Sequence, residues 1–166
     1  KFESCPTEFY NTYQGKQAQG EKECNIRNLL QWGGRKEDDP EWRSFKHYHN
    51  PLQPWDKAGL KDSILGRSSI VRAQSKDQPY GKYSWQDVRG YFYLGLTSDD
   101  KLTRESYFVE TFRGLGQLMH LVQDASVPLH TRDDIHIIFS YEGWVGELQN
   151  NQPDTFDTLM SNSKSY

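Results

Sequence analysis

Apolar residues recur along much of this chain at intervals of three and four, the period of a helix with one buried face. Residues 1–24 are polar and loop-like. Asn25 then predicts the cap of a short helix carrying Ile26, Leu29 and Leu30, stopped by Gly33-Gly34. A loop from Arg35 to Pro40 follows. Beyond Pro51 and Pro54, the residues Trp55, Leu60, Ile64 and Val71 fall at rough helical spacing, before a polar loop from Gln74 to Lys82. Ser84 with Asp87 three positions on reads as a capping signal. The helix it opens carries a stripe of Trp85, Val88, Phe92 and Leu96, and Thr97-Ser98-Asp99-Asp100 breaks it. The longest predicted helix runs from about Leu102 to about Ser126, with Phe108, Phe112, Leu115, Met119 and Val122 on its stripe. Pro128 limits its continuation. Ile135 to Phe139 can be read as a strand, but no second strand of matching strength exists to pair with it. The predicted fold class is all-α, a single domain over residues 1–166.

Composition makes this helical chain unusual. Only 34% of its residues are hydrophobic while 14% are aromatic, and the mean hydropathy is −0.92. A core so sparse in aliphatics fits a fragment, a chain with a partner, or one cross-linked by metal ions. The opening at Lys1 and the polar end from Ser161 to Tyr166 give the expectation of trimmed termini. The net charge of −3 supplies no general draw toward nucleic acid or anionic lipid. No apolar run approaches the roughly 18 residues of a membrane span. Cys5 and Cys24 could form one disulfide, and two cysteines are weak evidence for an oxidising compartment.

The histidines carry the chemistry. All 5 lie in two short windows: His47 and His49, then His120, His130 and His136. Carboxylates surround them: Asp38 and Asp39 before the first window, Asp124, Asp133 and Asp134 within the second, Glu142 after it. On the long predicted helix His120 and Asp124 are one turn apart and share a face. Gly116 lies a turn earlier on that side, where a backbone or ligand can come close. Such a pair can share one zinc ion, with ligand distances of about 2.0–2.2 Å. Taken alone, the plain alternative is a solvated pair on an exposed helix. His130 makes the pattern more specific, because it returns a third ligand just past the helix end.

The stretch from Leu115 to His130, with His120, Asp124, Pro128 and His130 at its fixed points, resembles the signature of the zinc-dependent phospholipase C / S1-P1 nuclease superfamily. The likeness extends to Gly33-Gly34-Arg35-Lys36-Glu37-Asp38, to His47-Tyr48-His49-Asn50-Pro51, and to Ser140-Tyr141-Glu142-Gly143-Trp144-Val145. The resemblance implies an all-α fold around a zinc cluster that hydrolyses phosphate esters. It assigns Asp38, His47, His120 and Asp124 to one zinc, and His130, His136 and Glu142 to a second. Asp124 suits a bridging role, and Asp38 would be the catalytic residue that accepts a proton from the attacking water or orients it.

Two departures stand out. The family sets its last histidine four residues before the carboxylate, where this chain has Ile138, and His136 is six before Glu142. The third zinc of the family uses an amino-terminal Trp and a nearby His. Here residue 1 is Lys, the first Trp is Trp32, and no His precedes His47.

The expected function is a zinc-dependent phosphoric ester hydrolase of phospholipase C type that uses a metal-activated water. The alternatives are a single-strand nuclease of the same superfamily, a catalytically weak metal-stabilised binding domain, and an ordinary helical interaction domain. The substrate is accordingly a phospholipid headgroup or single-stranded nucleic acid, and the resemblance implies a secreted or periplasmic protein. A lipase needs an exposed apolar or aromatic rim. A nuclease needs aromatic faces near the metals for base stacking, and Tyr48 could serve. His49 reads as a donor behind the ligands or a surface residue, Trp42 and Trp55 as core or rim packing, and Asp39, Asp133 and Asp134 as solvated or helix-capping groups.

Overall fold

The computed structural model describes residues 1–3, 5–14, 23–60, 67–76, 82–132 and 141–162. All regular structure among them is helical, as the all-α expectation requires. The chain divides into two compact units, Lys1–Asp133 and Asp134–Tyr166. The first holds α1 (Thr7–Gln14), α2 (Ile26–Glu37), 3-10 turns at Glu41–Lys46 and Trp55–Lys57, α3 (Ser69–Gln74), α4 (Trp85–Thr97), α5 (Lys101–Asp124) and the one-turn α6 (Pro128–Thr131). The second holds α7 (Tyr141–Asn151) and α8 (Pro153–Asn162). No described helix is long and apolar enough to cross a membrane.

Local chemistry sets most of the helix ends. Asn25 caps α2, its side chain accepting from the Asn28 N–H at 3.0 Å. Ser84 and Asp87 form a reciprocal capping box at α4. Asp100 caps α5, accepting from the Thr103 N–H at 2.7 Å. Pro128 opens α6 at its first turn, where a missing N–H has no consequence.

Residues 1–24 are not all loop: Thr7–Gln14 forms α1, and its Phe9 is fully buried. Three further sequence expectations are corrected. Gly33-Gly34 does not stop α2, which continues to Glu37. These glycines lie where α2 crosses α5. A β-carbon on Gly33 would fall inside the van der Waals radius of the Arg113 carbonyl oxygen, and one on Gly116 inside that of the Leu30 carbonyl oxygen. Close backbone approach therefore outweighs the roughly 1 kcal/mol of helix propensity each glycine gives up.

The buried face of α5 is also not the stripe of its largest apolar residues. It is Val109, Thr111, Gly114, Gly116, Gln117 and Leu121, while Met119 and Val122 are exposed. Packed between α2 and α4, α5 turns its small residues toward its neighbours. On α4 likewise only Val88 and Gly95 are buried, and Trp85, Phe92 and Leu96 are exposed.

The third correction concerns Trp55 to Val71. These residues do not share one helix: Trp55–Lys57 is a single 3-10 turn, 58–60 are not helical, and Ser68 caps a new start for α3. Residues 61–66, and the strand alternative at Ile135 to Phe139, lie outside the described residues.

The apolar core is small. Phe9, Cys24, Leu29, Trp32 and Val109 are buried together, with Phe2, Cys5 and Phe112 packed against them. Phe9 meets Trp32 edge to face, ring centroids 5.6 Å apart. Cys5 and Cys24 are joined by a disulfide at the margin of this cluster.

Candidate metal centre

Four elements of the first unit deliver five of the predicted ligands to one place. Asp38 is the C-cap of α2, and Asp124 is the last residue of α5. His120 stands one turn before Asp124 on α5. His47 ends the 3-10 turn Glu41–Lys46, and His130 sits on α6. Backbone bonds fix the first histidine window against its neighbours. The His49 N–H donates to the His130 carbonyl at 2.9 Å, and the Ser69 N–H donates to the Tyr48 carbonyl at 3.0 Å.

The side chains converge on Asp124. Its Oδ2 lies 2.6 Å from His47 Nδ1, 3.2 Å from His120 Nε2 and 3.6 Å from His130 Nδ1. Asp38 Oδ1 closes the other side, 3.4 Å from His120 Nε2 and 3.7 Å from His47 Nδ1. Donor atoms of Asp38, His47 and His120 all lie within 4.8 Å of one another. A tetrahedral zinc sets its ligand atoms about 3.3–3.6 Å apart, and most of these separations fall close to that range.

The polar bookkeeping of the site also suits a cation. Asp124 Oδ2 is buried and has no well-aligned hydrogen bond, despite three imidazoles around it. In the metal-free protein the imidazoliums of His120 and His47 meet this oxygen, and a divalent ion would supply the same positive charge in place of their protons. The residues present therefore fit a divalent ion. His47, only 2% exposed in its side chain, is closed off from water, whereas the Asp38 side chain is 56% exposed. A cavity of about 620 Å³ runs between α2 and α5 past Gly34, Asp38, Gly116, His120 and Gln123, giving solvent and solutes a way to that carboxylate.

Titration follows from the same geometry. Burial alone would push the His120 imidazolium down, but the Asp124 and Asp38 carboxylates outweigh it and push its pKa up to about 10. For His47, burial is likewise overcome, by Asp124 and Glu37, and the pKa is raised. Burial would raise Asp124, yet His120 and His47 beside it hold its carboxyl far below the usual range.

Sequence reasoning missed the layer behind the ligands. Glu37, next in sequence to Asp38, is buried and pairs with two guanidiniums: Arg43 at 2.8 Å, and Arg72 on the other oxygen. Its Oε1 also lies 3.6 Å from His47 Nε2, on the far side of that ring from Asp124. At that distance the carboxylate acts on the ring through its charge and favours the protonated form. The Arg43 guanidinium also donates to the Glu37 carbonyl at 3.2 Å and to Gln117 Oε1 at 3.5 Å. The signal was available: Leu29, Trp32, Gly33 and Glu37 share the buried stripe of α2, so Glu37 is a carboxylate on an apolar face.

The remaining candidates divide. His49 donates or accepts at Ser68 Oγ, 2.8 Å from its Nδ1, and stands behind the cluster rather than in it. Tyr48 is 6% exposed and meets His130 edge to face at 5.0 Å, so its ring offers no open face for a base. Trp55 is exposed. Asp39 pairs with Lys36. His136, Asp133 and Asp134 lie outside the described residues, as does the Glu142 side chain, although its backbone belongs to α7. No family model, curated protein or solved structure matches the chain.

Proposed function

We propose that this chain is a zinc-dependent phosphodiester hydrolase of phospholipase C type. The observation that carries the reading is the convergence of Asp38, His47, His120 and Asp124, whose nitrogens and carboxylate oxygens close on one another from separate elements. These four side chains would hold one zinc ion, and His130, 3.6 Å from the same Asp124 oxygen, stands beside them.

A zinc ion held there supplies charge neutralisation of the phosphate and a bound water of pKa near 7. The residues of the chain supply the rest. Asp38, open to the cavity, accepts the proton of the attacking water or aligns it. Asp124 would join His47 and His120 as a ligand, with the ion in place of the protons those rings carry in the metal-free protein. Glu37, held by Arg43 and Arg72, places its charge behind the His47 ring. The closed side of the site, formed by His47, His130 and Tyr48, excludes bulk water from the phosphate.

Two features favour phospholipid over nucleic acid as substrate. Exposed apolar surface of the kind a lipase uses is offered by Leu52 and Trp55, a few residues after His49. The stacking face that a nuclease needs is not offered by Tyr48, which is packed away. The test is metal analysis of the purified protein, with release of water-soluble phosphate ester from phosphatidylcholine set against release of nucleotides from single-stranded DNA and RNA. At least one zinc ion per chain and phosphate ester release are expected. A metal-free protein without either activity ends the proposal, and nucleotide release alone moves it to the nuclease branch.

A further inference from the structure

The loop that follows the first histidine window presents apolar side chains to water with unusual completeness. Leu52 is 88% exposed and Trp55 is 54% exposed. Neither position is loose. The loop is closed at its base by the Asn50 N–H, which donates to the Ala58 carbonyl at 2.8 Å. That base is continuous with His49, whose N–H is bonded to the carbonyl of His130. The His49 and Trp55 rings lie edge to face with centroids 6.3 Å apart. The loop is thus an extension of the segments that carry the ligands.

The hydrogen bonding of the tip is the second, independent observation. Pro51 and Pro54 have no N–H to satisfy. The Leu52 N–H donates to Asn50 Oδ1 at 3.0 Å, and the Gln53 N–H donates to the Asn50 carbonyl at 3.1 Å. From 51 to 54, every backbone donor is either absent or bonded inside the loop. Water does not demand this of an exposed turn, because water itself would take those donors. An apolar medium does demand it, because each unsatisfied donor carried into hydrocarbon costs several kcal/mol.

Shape and charge point the same way. Leu52 and Trp55 expose their apolar side chains three residues apart, and such a pair suits a deformable apolar phase. Tryptophan is favoured at the boundary between headgroups and acyl chains. The Trp55–Lys57 turn packs against α3, immediately after Arg67. Among the described residues there, Lys57 and Arg67 are exposed beside Asp56, and cations beside an apolar anchor favour phosphate headgroups.

We infer that Pro51–Trp55 is an interfacial anchor that inserts Leu52 and Trp55 into the surface of a phospholipid membrane. The inference rests on the phospholipase reading for its choice of occupant, a phospholipid surface. Its physical content stands without catalysis.

The experiment is sedimentation of the full chain with phosphatidylcholine vesicles, with zinc and again in excess chelator, for the native protein and for Leu52→Ser and Trp55→Ser. Native protein is expected to pellet with vesicles in both conditions, each variant to partition about tenfold more weakly, and Leu52→Ser to keep the native melting temperature, since Leu52 is 88% exposed. Quenching of tryptophan fluorescence by lipids brominated on the acyl chain is expected for native protein and lost in Trp55→Phe. Native protein that stays in solution, variants that partition as the native does, or quenching unchanged in Trp55→Phe overturns the anchor. If Trp55 fluorescence answers to a single-stranded oligonucleotide and not to vesicles, the loop is a nucleic-acid contact and the inference is equally overturned. Phosphatidylcholine hydrolysis with an inert loop leaves the enzyme reading standing. Loop-dependent vesicle binding without hydrolysis of any phosphodiester removes the enzyme reading and leaves the anchor.

Discussion

Gly33 of α2 and Gly116 of α5 meet backbone to backbone: a β-carbon placed on Gly116 would lie 3.0 Å from the Gly33 Cα. The contact is one turn of helix away from the ligands, with Asp38 after Gly33 and His120 after Gly116. Gly33→Ala and Gly116→Ala must therefore push α2 away from α5, since rigid backbone is what they strike. Each is expected to cost about 3 kcal/mol in a urea unfolding series and to weaken zinc binding. Gly90→Ala on α4 is the control. Nothing lies within 4 Å of a β-carbon there, so it should stabilise by up to about 1 kcal/mol. Equal effects at all three positions would refute the close-contact account.

Glu37→Gln keeps the shape of the side chain and removes the charge that Arg43 and Arg72 share. Leaving two buried guanidiniums without their counter-ion is expected to cost about 3–5 kcal/mol. The same change removes the charge behind the His47 ring, so zinc affinity should fall about 10–100-fold. Calorimetric titration with zinc and thermal melting measure the two effects separately. A variant with native melting temperature would show that the pairing contributes nothing.

Metal uptake should release protons. His120, with its pKa pushed up to about 10, carries a proton at neutral pH in the metal-free protein, and His47 is shifted in the same direction. Zinc takes the imidazole only without that proton. Binding is therefore expected to tighten steadily from pH 6 toward about 10, with at least one proton released per ion near neutrality, read from titrations in buffers of different ionisation enthalpy. The stability of the metal-free protein follows the opposite trend. His120 is raised, so its contribution is full below about 6.5 and is lost as pH climbs through about 10. Asp124 is lowered, so its share is present above about 3.9 and disappears on acidification. Zinc binding that is independent of pH over this span would contradict the arrangement.

The disulfide between Cys5 and Cys24 closes a loop of about twenty residues beside the core. Cys5→Ser with Cys24→Ser is expected to lower stability by about 3 kcal/mol. With so few buried aliphatics, that is a large share of the whole, and the reduced protein should melt well below the oxidised one. Identical melting curves with and without reductant would discount the cross-link.

The helical periods, the caps at Asn25 and Ser84 and the stop before Pro128 were legible because each depends on residues near one another in sequence. The ligand candidates Asp38, His47, His120, Asp124 and His130 were legible through type and spacing, and the structure brings these five together. What could not be read locally was the role of small residues. A Gly-Gly pair looks like a helix stop unless the partner helix is known, and only the α2–α5 crossing reveals it as a contact surface. The same ignorance of partners misplaced the buried faces of α4 and α5. Glu37 escaped notice because its meaning depends on Arg43 and Arg72, which come from separate segments.

Asp38 and Asp124 both stand at the carboxyl ends of helices, one at the end of α2 and the other closing α5. Each such terminus carries about half an electron of unbalanced peptide charge. The pull on a cation is thus partly written into the main chain, where no side-chain substitution can erase it. A protein stripped of both acids would still tilt the local potential in favour of a positive guest, and the helices themselves would be what remained of the trap.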